Sequence, residues 1–365
     1  VRRMLDKIPV EELKSNTSTF LDPCFGNGTF LVELVKLLRS YGHSMENIQD
    51  RVYGFEISNR LSNIVQKKFS QYNFKHLHNT DFLTHNFNNM KFNIIMGNPP
   101  YQSSAASSEG KPIWHLFVEN TINLLNTDGY LIFIHPSGYR TGKSAFRKIF
   151  DKMKDNQFHY LELSNYDTGL RHFGVTTTCD WYLLQQGNKN LSTEILDIAG
   201  ETVYVDMQEY TQIPDSGLKK YGQYIDLTGV DTVDIMYDTA YHTQKGHMSK
   251  ELTDTHSSPV VYTLRQAGPS FWYSSKNDLG HYGRPKVLLG KGLGMPVLDL
   301  EGKYAACQFS YAITGTPEYV QKVYDALSTD ECLQMLTILG TGKGHNYLKE
   351  VVRMLRKDFW KGFIK

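Results

Sequence analysis

"FLDPCFGNGTFL", residues 20–31, passes from an apolar segment through a glycine-containing turn into a segment with helical character. Gly26 and Gly28 allow the backbone to turn tightly and to approach a ligand without interference from a Cβ atom. A strand, a tight turn and a helix in this order predict one unit of a parallel sheet, which binds ligands at the carboxyl ends of its strands. Leu31 occupies the place of the third glycine of a pyrophosphate-binding turn, and this disfavours a dehydrogenase.

Strands alternate with helices through the first half of the chain. The strand candidates are residues 19–23, 51–56, 74–81, 92–98, 129–136, 158–164 and 177–185, and helical patterns cover residues 28–42, 58–72 and 113–126. This alternation predicts an α/β fold with a doubly wound, mostly parallel sheet of seven strands. We assign it to a first domain over residues 1–185.

The pattern changes after this domain. "QGNKN" (186–190) is typical of a linker, and residues 274–313 are short segments rich in Gly and Tyr, which indicate irregular β structure. Helical stretches follow, the first with Thr316 as N-cap and Pro317 in its first turn. We therefore predict a second, α+β domain over residues 191–365.

Composition excludes several classes of protein. The net charge of +1 and the aromatic content of 13% indicate a folded chain without a generally basic surface. The four cysteines form no C-x-x-C pair and the histidines have no ligand spacing, so we predict neither disulfides nor a metal site. Without a membrane-length apolar run or a signal pattern, the chain is predicted to be cytoplasmic.

Three acidic residues end the first three predicted strands. Asp22 at the mouth of the glycine turn would repel phosphate but attract a cation or an amino group, and S-adenosylmethionine carries both. Glu56 could accept the ribose hydroxyls, and Asp81 with Phe82 could bind an adenine amino group and ring. Each acid alone could equally be a surface or helix-capping residue, but three at successive strand ends favour a nucleoside cofactor.

The fourth strand ends in "NPPY", residues 98–101. The Asn98 side-chain oxygen and the Pro99 carbonyl could hold both hydrogens of an aromatic amine and direct its lone pair toward a methyl donor. The prolines restrict the backbone of this turn. Tyr101 would stack on the aromatic base that carries this amine.

"DPCFGNGTF" (22–30) and "NPPY" (98–101), in this order and spacing, resemble the amino-group DNA methyltransferases that form N6-methyladenine. In that arrangement the cofactor motifs come before the catalytic motif, and a target-recognition domain follows. The resemblance covers residues 1–185 motif by motif and the remainder by position and size. It implies the S-adenosylmethionine-dependent methyltransferase fold and a site-specific enzyme that extrudes an adenine from double-stranded DNA.

The resemblance also assigns residues. It implies cofactor-binding roles for Asp22, Pro23, Cys24, Gly26, Gly28, Phe30, Glu56, Ile57, Asp81 and Phe82, and catalytic roles for Asn98, Pro99, Pro100, Tyr101 and Phe173. Phe173 would pack on the extruded base, with a core position as the alternative. Family members carry a Thr-Pro segment upstream of the helix that begins at Val1, and without it we expect an open methionine pocket and weak cofactor binding.

Other readings remain open. Methyltransferases that act on RNA or on protein glutamine also use N-P-P-Y, although the size of the second domain favours DNA, and a non-catalytic DNA-binding subunit is a further alternative. A restriction-modification or phage modification system is the expected setting, with a separate endonuclease as a possible partner. The Ser-rich residues 102–111 could cover an extruded nucleotide. Candidate DNA contacts are Arg265, Lys276, Arg284, Lys286 and Lys291, and a basic C-terminal segment that includes Lys349 is another.

Overall fold

The computed structural model describes residues 1–103, 110–141, 145–164, 177–187, 189–265, 267–292, 294–340 and 347–364. The chain divides into two compact units, Val1–Glu209 and Tyr210–Lys365. The boundary therefore lies after the predicted one, which placed the end of the first domain at residue 185 and the start of the second at residue 191.

The first unit is an α/β unit built on one large sheet. Its strands are β1 (Phe20–Asp22), β2 (Val52–Phe55), β3 (His76–His78), β4 (Phe92–Gly97), β5 (Leu125–Pro136), β6 (Gln157–Glu162), β7 (Cys179–Gln185), β8 (Thr193–Leu196) and β9 (Thr202–Val205). Its α-helices are α1 (Arg2–Leu5), α2 (Val10–Lys14), α3 (Thr29–Ser40), α4 (Met45–Gln49), α5 (Asn59–Lys68), α6 (Trp114–Asn123) and α7 (Arg147–Lys154), and short 3-10 turns cover Phe82–Thr84, Ser137–Arg140 and Met207–Glu209.

The strand order is β3-β2-β1-β4-β5-β7-β6-β8-β9. The five strands from β3 to β5 are parallel, and β7 runs antiparallel to both β5 and β6. The prediction of seven strands is corrected to a mixed sheet of nine in the described part of the chain. β8 pairs with β6 and buries alternate side chains, and β9 then pairs with β8, so these strands extend the first unit beyond the predicted boundary.

β1 and β4 lie side by side at the centre of the sheet, where Phe20 pairs with Ile94 and Leu21 with Ile95. These side chains are fully buried, and burial of each large apolar side chain contributes about 1.5–3 kcal/mol. β4 ends at Gly97, two residues before Pro99, which has no N–H for the ladder. The parallel pairing brings the segments that follow β1 and β4 to the same edge of the sheet.

The second unit contains two sheets of four strands. Its strands are β10 (Ile235–Met236), β11 (Met248–Ser249), β12 (Ser258–Arg265), β13 (Gly268–Ser274), β14 (Lys286–Gly290), β15 (Val297–Asp299), β16 (Ala305–Ala306) and β17 (Ser310–Thr314), in the orders β10-β17-β14-β15 and β11-β13-β12-β16. Its helices cover Leu218–Tyr221, Pro317–Leu327, Asp330–Leu339 and Tyr347–Val352, with 3-10 turns over Gly222–Tyr224 and Phe359–Gly362.

Two predictions for the second unit can be compared with these elements. Thr316 caps the helix that begins at Pro317, because its side chain accepts a hydrogen bond from the Tyr319 N–H. Lys286, a candidate DNA contact, is instead fully buried and forms an ion pair with Asp299 at 3.1 Å. Lys286 is therefore part of the interior, since β14 turns its side chain away from solvent.

None of the helices in the described ranges is long and apolar enough to cross a membrane. Across the same residues, no group of three or more His, Cys, Asp or Glu side chains is arranged to hold a metal ion.

Candidate active site

A cavity of about 660 Å³ opens in the first unit, and both sequence motifs contribute to its wall. The turn after β1 supplies Cys24 and Gly26, α3 supplies Phe30, and the segment after β4 supplies Asn98. Its remaining lining residues are Val1, Arg2, Arg3, Met4, Phe25, Asn27, Thr29, Ile134, Glu162, Ser164, Cys179 and Trp181. The structure thus brings part of each predicted residue set to one concave surface.

The glycine turn adopts a backbone that other residues disfavour. Gly26 has φ +54° and Gly28 has φ +82°, both in the left-handed region. The Gly28 N–H donates to the Phe25 carbonyl at 2.7 Å, and α3 begins at the next residue. A Cβ atom on Gly28 would lie 2.8 Å from Val65 on α5, so this position also requires glycine for space.

Glu56, which directly follows β2, holds the glycine turn by hydrogen bonds. One carboxylate oxygen accepts the Gly26 N–H at 2.9 Å, and the other accepts the Ser58 N–H at 2.7 Å. The residue is 8% exposed. Because a carboxylate offers about four acceptor positions, these two bonds leave capacity for hydroxyl donors. The predicted ribose contact stays a prediction, and the observed role of Glu56 is to join the turn to the start of α5.

Asp22 lies beneath the turn and not at its mouth, which corrects the predicted placement. It is 1% exposed, and its Oδ1 accepts the Cys24 N–H at 3.1 Å. Burial raises the pKa of Asp22 to about 8, and the nearby Glu56 charge adds to this. Pro23 is also buried. The side chain of Asp22 turns inward beside Gly97, where the absence of a Cβ leaves room for it.

The three remaining cofactor candidates differ in exposure. Ile57 is 70% exposed, so its apolar side chain is available to a ligand ring. Asp81 accepts the Leu83 N–H at 2.9 Å and caps a 3-10 turn. Phe82 is 4% exposed and its ring stacks on Phe117 at 5.5 Å. Phe82 thus packs in an aromatic cluster, and its predicted contact with an adenine ring stays a prediction.

The Asn-Pro-Pro-Tyr turn presents alternating sides to solvent and interior. Asn98 and Pro100 are exposed, whereas Pro99 is buried. Tyr101 is half-buried, and its hydroxyl accepts a hydrogen bond from the Cys179 thiol at 3.3 Å. Burial raises the pKa of Tyr101 above its ordinary value, so the phenol is neutral at physiological pH. Asn98 lines the cavity, and the neutral Tyr101 ring lies three residues further along the chain.

Several lining residues were not among the candidates. Glu162 accepts a hydrogen bond from the Tyr160 hydroxyl at 2.8 Å and forms an ion pair with Arg3. Glu162 is the last residue of β6, so the rule that ligands bind at strand ends could have found it. Cys179, the first residue of β7, contacts Tyr101 and carried no sequence signal.

Phe173 lies outside the described residues, and so do residues 104–109 of the Ser-rich segment. The described ends of that segment are paired: Gln102 forms a β-bridge with Pro112, and the Ser103 N–H donates to the Lys111 carbonyl at 2.9 Å. The two described ends of the segment are thus held together close to Tyr101.

Comparison with known proteins places a methylase domain in the first unit. Residues 30–169 match the Eco57I restriction-modification methylase family model. An uncharacterized adenine-specific methylase of Mycoplasma pneumoniae is 33% identical over 108 residues, which cover 27% of this chain and 25% of that protein. The match therefore spans about a quarter of the relative's length. These findings bear out the prediction of a methyltransferase domain, and with it S-adenosylmethionine as the methyl donor.

Solved structures show a similar fold over 95% of the chain. One is a nuclease-deletion mutant of the Type ISP restriction-modification enzyme LlaGI in complex with a DNA substrate mimic, with a TM-score of 0.52, 14% identity and 51% of that chain covered. Another is the Type IIL restriction-modification enzyme MmeI in complex with DNA, with a TM-score of 0.51, 11% identity and 62% of that chain covered. At these identities the likeness shows a shared fold.

Proposed function

We propose that this protein is a DNA methyltransferase that transfers the methyl group of S-adenosylmethionine to N6 of an adenine extruded from double-stranded DNA. Its setting would be a restriction-modification or phage modification system. The observation that carries the proposal is the convergence of Asn98 and the Gly26 turn on one cavity of about 660 Å³. This volume lies within the range of about 300–1,000 Å³ that is typical of cofactor sites.

The chemistry of the lining residues fits the cofactor. Gly26 and Phe30 would meet it where the backbone turn allows close approach. When bound, S-adenosylmethionine supplies an electrophilic methyl group on a sulfonium. The chain itself has to bind it, to hold the target amine and to exclude water.

The target amine would be held by the turn after β4. The Asn98 side-chain oxygen and the Pro99 carbonyl each accept one amine hydrogen, which reduces delocalisation of the nitrogen lone pair into the ring. Held in this way, the amine nitrogen would be presented to the methyl group that the cofactor supplies, and the proton that the amine gives up on transfer would pass to water. Tyr101 is proposed to stack on the base, and its bond to Cys179 would fix the ring for that contact.

The second unit is proposed to recognise the DNA. A base within a duplex cannot enter the cavity, so it has to be extruded at a cost of a few kcal/mol that stacking and hydrogen bonds offset. Two proteins of similar fold were solved with DNA or a DNA mimic, which supports this assignment.

The test is to incubate the full chain with methyl-labelled S-adenosylmethionine and, separately, duplex DNA, RNA and a protein extract, and then to identify the labelled product. We expect N6-methyladenine in DNA. Asn98→Ala should abolish transfer while cofactor affinity, measured by calorimetry, is retained. Asn63→Ala is the matched control, because Asn63 is an exposed residue of α5. Label on glutamine or on RNA would reject the DNA assignment, and full activity of Asn98→Ala would reject the site.

A further inference from the structure

We infer that the second unit contacts DNA through a stripe in which a lysine and aromatic rings are linked in a continuous series. The inference rests on the proposed function, since that function supplies DNA as the partner, and it assigns the contact to particular residues. The stripe consists of Tyr237, Lys291, Phe309, Tyr262 and Trp272, and the buried Lys349, which is 7% exposed, contacts its Tyr237 end.

Each member of the stripe contacts the next. The Lys349 ammonium lies 3.9 Å from the centre of the Tyr237 ring, and the Lys291 ammonium lies 5.8 Å from the same ring. Lys291 is also 5.5 Å from the Phe309 ring. Phe309 meets Tyr262 edge to face at 5.1 Å, and Tyr262 stacks with Trp272 at 5.7 Å. Strands and connections that are distant in sequence thus form one surface.

The rings are held in place before any ligand binds. The Tyr237 hydroxyl donates to the Gln308 carbonyl at 3.3 Å. The Gln308 side chain in turn exchanges two hydrogen bonds with Thr243, at 2.6 and 3.1 Å. Phe309 follows Gln308 directly and keeps 38% of its surface exposed. A fixed and exposed ring loses little conformational freedom on binding, which favours contact with a planar partner.

The charges favour a polyanion. Among the ion pairs of the described residues, none includes Lys291, so its ammonium is available to a phosphate. Lys349 lies 3.6 Å from Glu350, but that carboxylate is also held by Arg353 through two bonds, at 2.8 and 2.9 Å. Burial lowers the pKa of Lys349, and the nearby Arg353 and Lys291 lower it further. An anion between these cations would relieve their mutual repulsion.

DNA combines the two features that the stripe can recognise. Lysines that neutralise phosphates release counterions, and aromatic side chains pack against bases or sugars at the same surface. Lys291 would contact a phosphate, and the exposed Phe309 ring would contact an adjacent base or sugar. An apolar protein partner would match the rings but would leave Lys291 without a counter-charge.

The experiment measures the affinity of the full chain for a fluorescent duplex of mixed sequence, by anisotropy at several salt concentrations and without S-adenosylmethionine. Lys291→Ala should weaken binding and reduce the slope of log affinity against log salt by about 1. Lys291→Arg should retain the slope. Phe309→Ala should weaken binding with an unchanged slope, because it removes an apolar contact and no charge.

Matched controls are Lys250→Ala and Leu252→Ala, which remove an exposed cation and an exposed apolar side chain outside the stripe. Circular dichroism spectra that match the parent protein would show that the stripe variants fold. Parent-like affinity and salt dependence for Lys291→Ala and Phe309→Ala would overturn the inference, and so would failure of the parent chain to bind DNA. Methyl transfer to DNA with no effect of the stripe variants would reject the stripe and leave the proposed function intact. DNA binding that depends on the stripe, without any methyl transfer, would support the stripe and reject the proposed function.

Discussion

Replacing Gly28 by Ala would add a single heavy atom, the Cβ, to the glycine turn. Gly28 has φ +82°, and a left-handed backbone costs a residue with a Cβ about 1–2 kcal/mol. The new Cβ would also lie 2.8 Å from Val65 Cγ2, which is closer than van der Waals contact allows. Val65 is fully buried on α5 and cannot swing away into solvent. Overpacking of this kind costs about 1–3 kcal/mol, so the variant should lose about 2–5 kcal/mol in total.

Gly42 provides a control for the backbone contribution. It has φ +90°, but a Cβ at this position would meet nothing within 4 Å. Gly42→Ala should therefore lose only the cost of the left-handed backbone, about 1–2 kcal/mol. The difference between the two variants isolates the contact with Val65.

The free energy of unfolding of both variants would be measured by urea denaturation, followed by circular dichroism at one temperature. In a double-mutant cycle, Val65→Ala should recover about 0.5–3 kcal/mol of the loss at Gly28, because it removes the crowded methyl groups. Equal losses at Gly28 and Gly42, or strict additivity of Gly28→Ala and Val65→Ala, would refute the packing of the turn against α5.

Three further predictions address other contacts. Because the pKa of Asp22 is about 8 in the folded state and about 3.9 in an unfolded chain, stability should fall as pH rises from 4 to 8, and Asp22→Asn should flatten this dependence in denaturation measured across that range. Cys179→Ala should lower kcat/KM for methyl transfer about 2- to 10-fold in steady-state assays, because it removes the hydrogen bond to Tyr101. Cys179→Ser should restore kcat/KM, since a hydroxyl can donate the same hydrogen bond. Equal activity of the two variants would argue against this role of Cys179. Asp299→Ala should destabilise the protein by about 3–5 kcal/mol in equilibrium unfolding, since it leaves Lys286 buried without a counter-charge.

Local signals predicted the centre of the first unit well. The strand candidate at residues 19–23 contains β1 (Phe20–Asp22), and the candidate at 92–98 contains β4 (Phe92–Gly97). Both are apolar runs that end at residues unsuited to a ladder, so the sequence itself marks where they stop. Among the predicted site residues that follow these ends, Cys24, Gly26 and Asn98 lie at the cavity.

Features that depend on distant partners escaped prediction. β8 and β9 have short, half-apolar sequences, and they are strands because β6 offers an edge to pair with. The burial of Asp22 depends on Gly97, which is remote in sequence and leaves space for the carboxyl group. The stacking of Phe82 on Phe117 of α6 joins residues that are 35 positions apart in the sequence. Tertiary packing decides each of these outcomes, and no local pattern reports it.

Two cysteines contact the Asn-Pro-Pro-Tyr turn, Cys24 at the Asn98 backbone and Cys179 at the Tyr101 hydroxyl. Burial raises the pKa of the Cys24 thiol, and a hydrogen bond from the Asn98 backbone lowers it in part, so Cys24 contacts the turn directly. On the other side, Cys179 donates to the Tyr101 hydroxyl. Because β1 and β4 are neighbours in the sheet, a shift of the glycine turn would move Cys24 and with it the Asn98 backbone. Under the proposed function, binding of the cofactor at Gly26 and of the amine at Asn98 should therefore be coupled through Cys24.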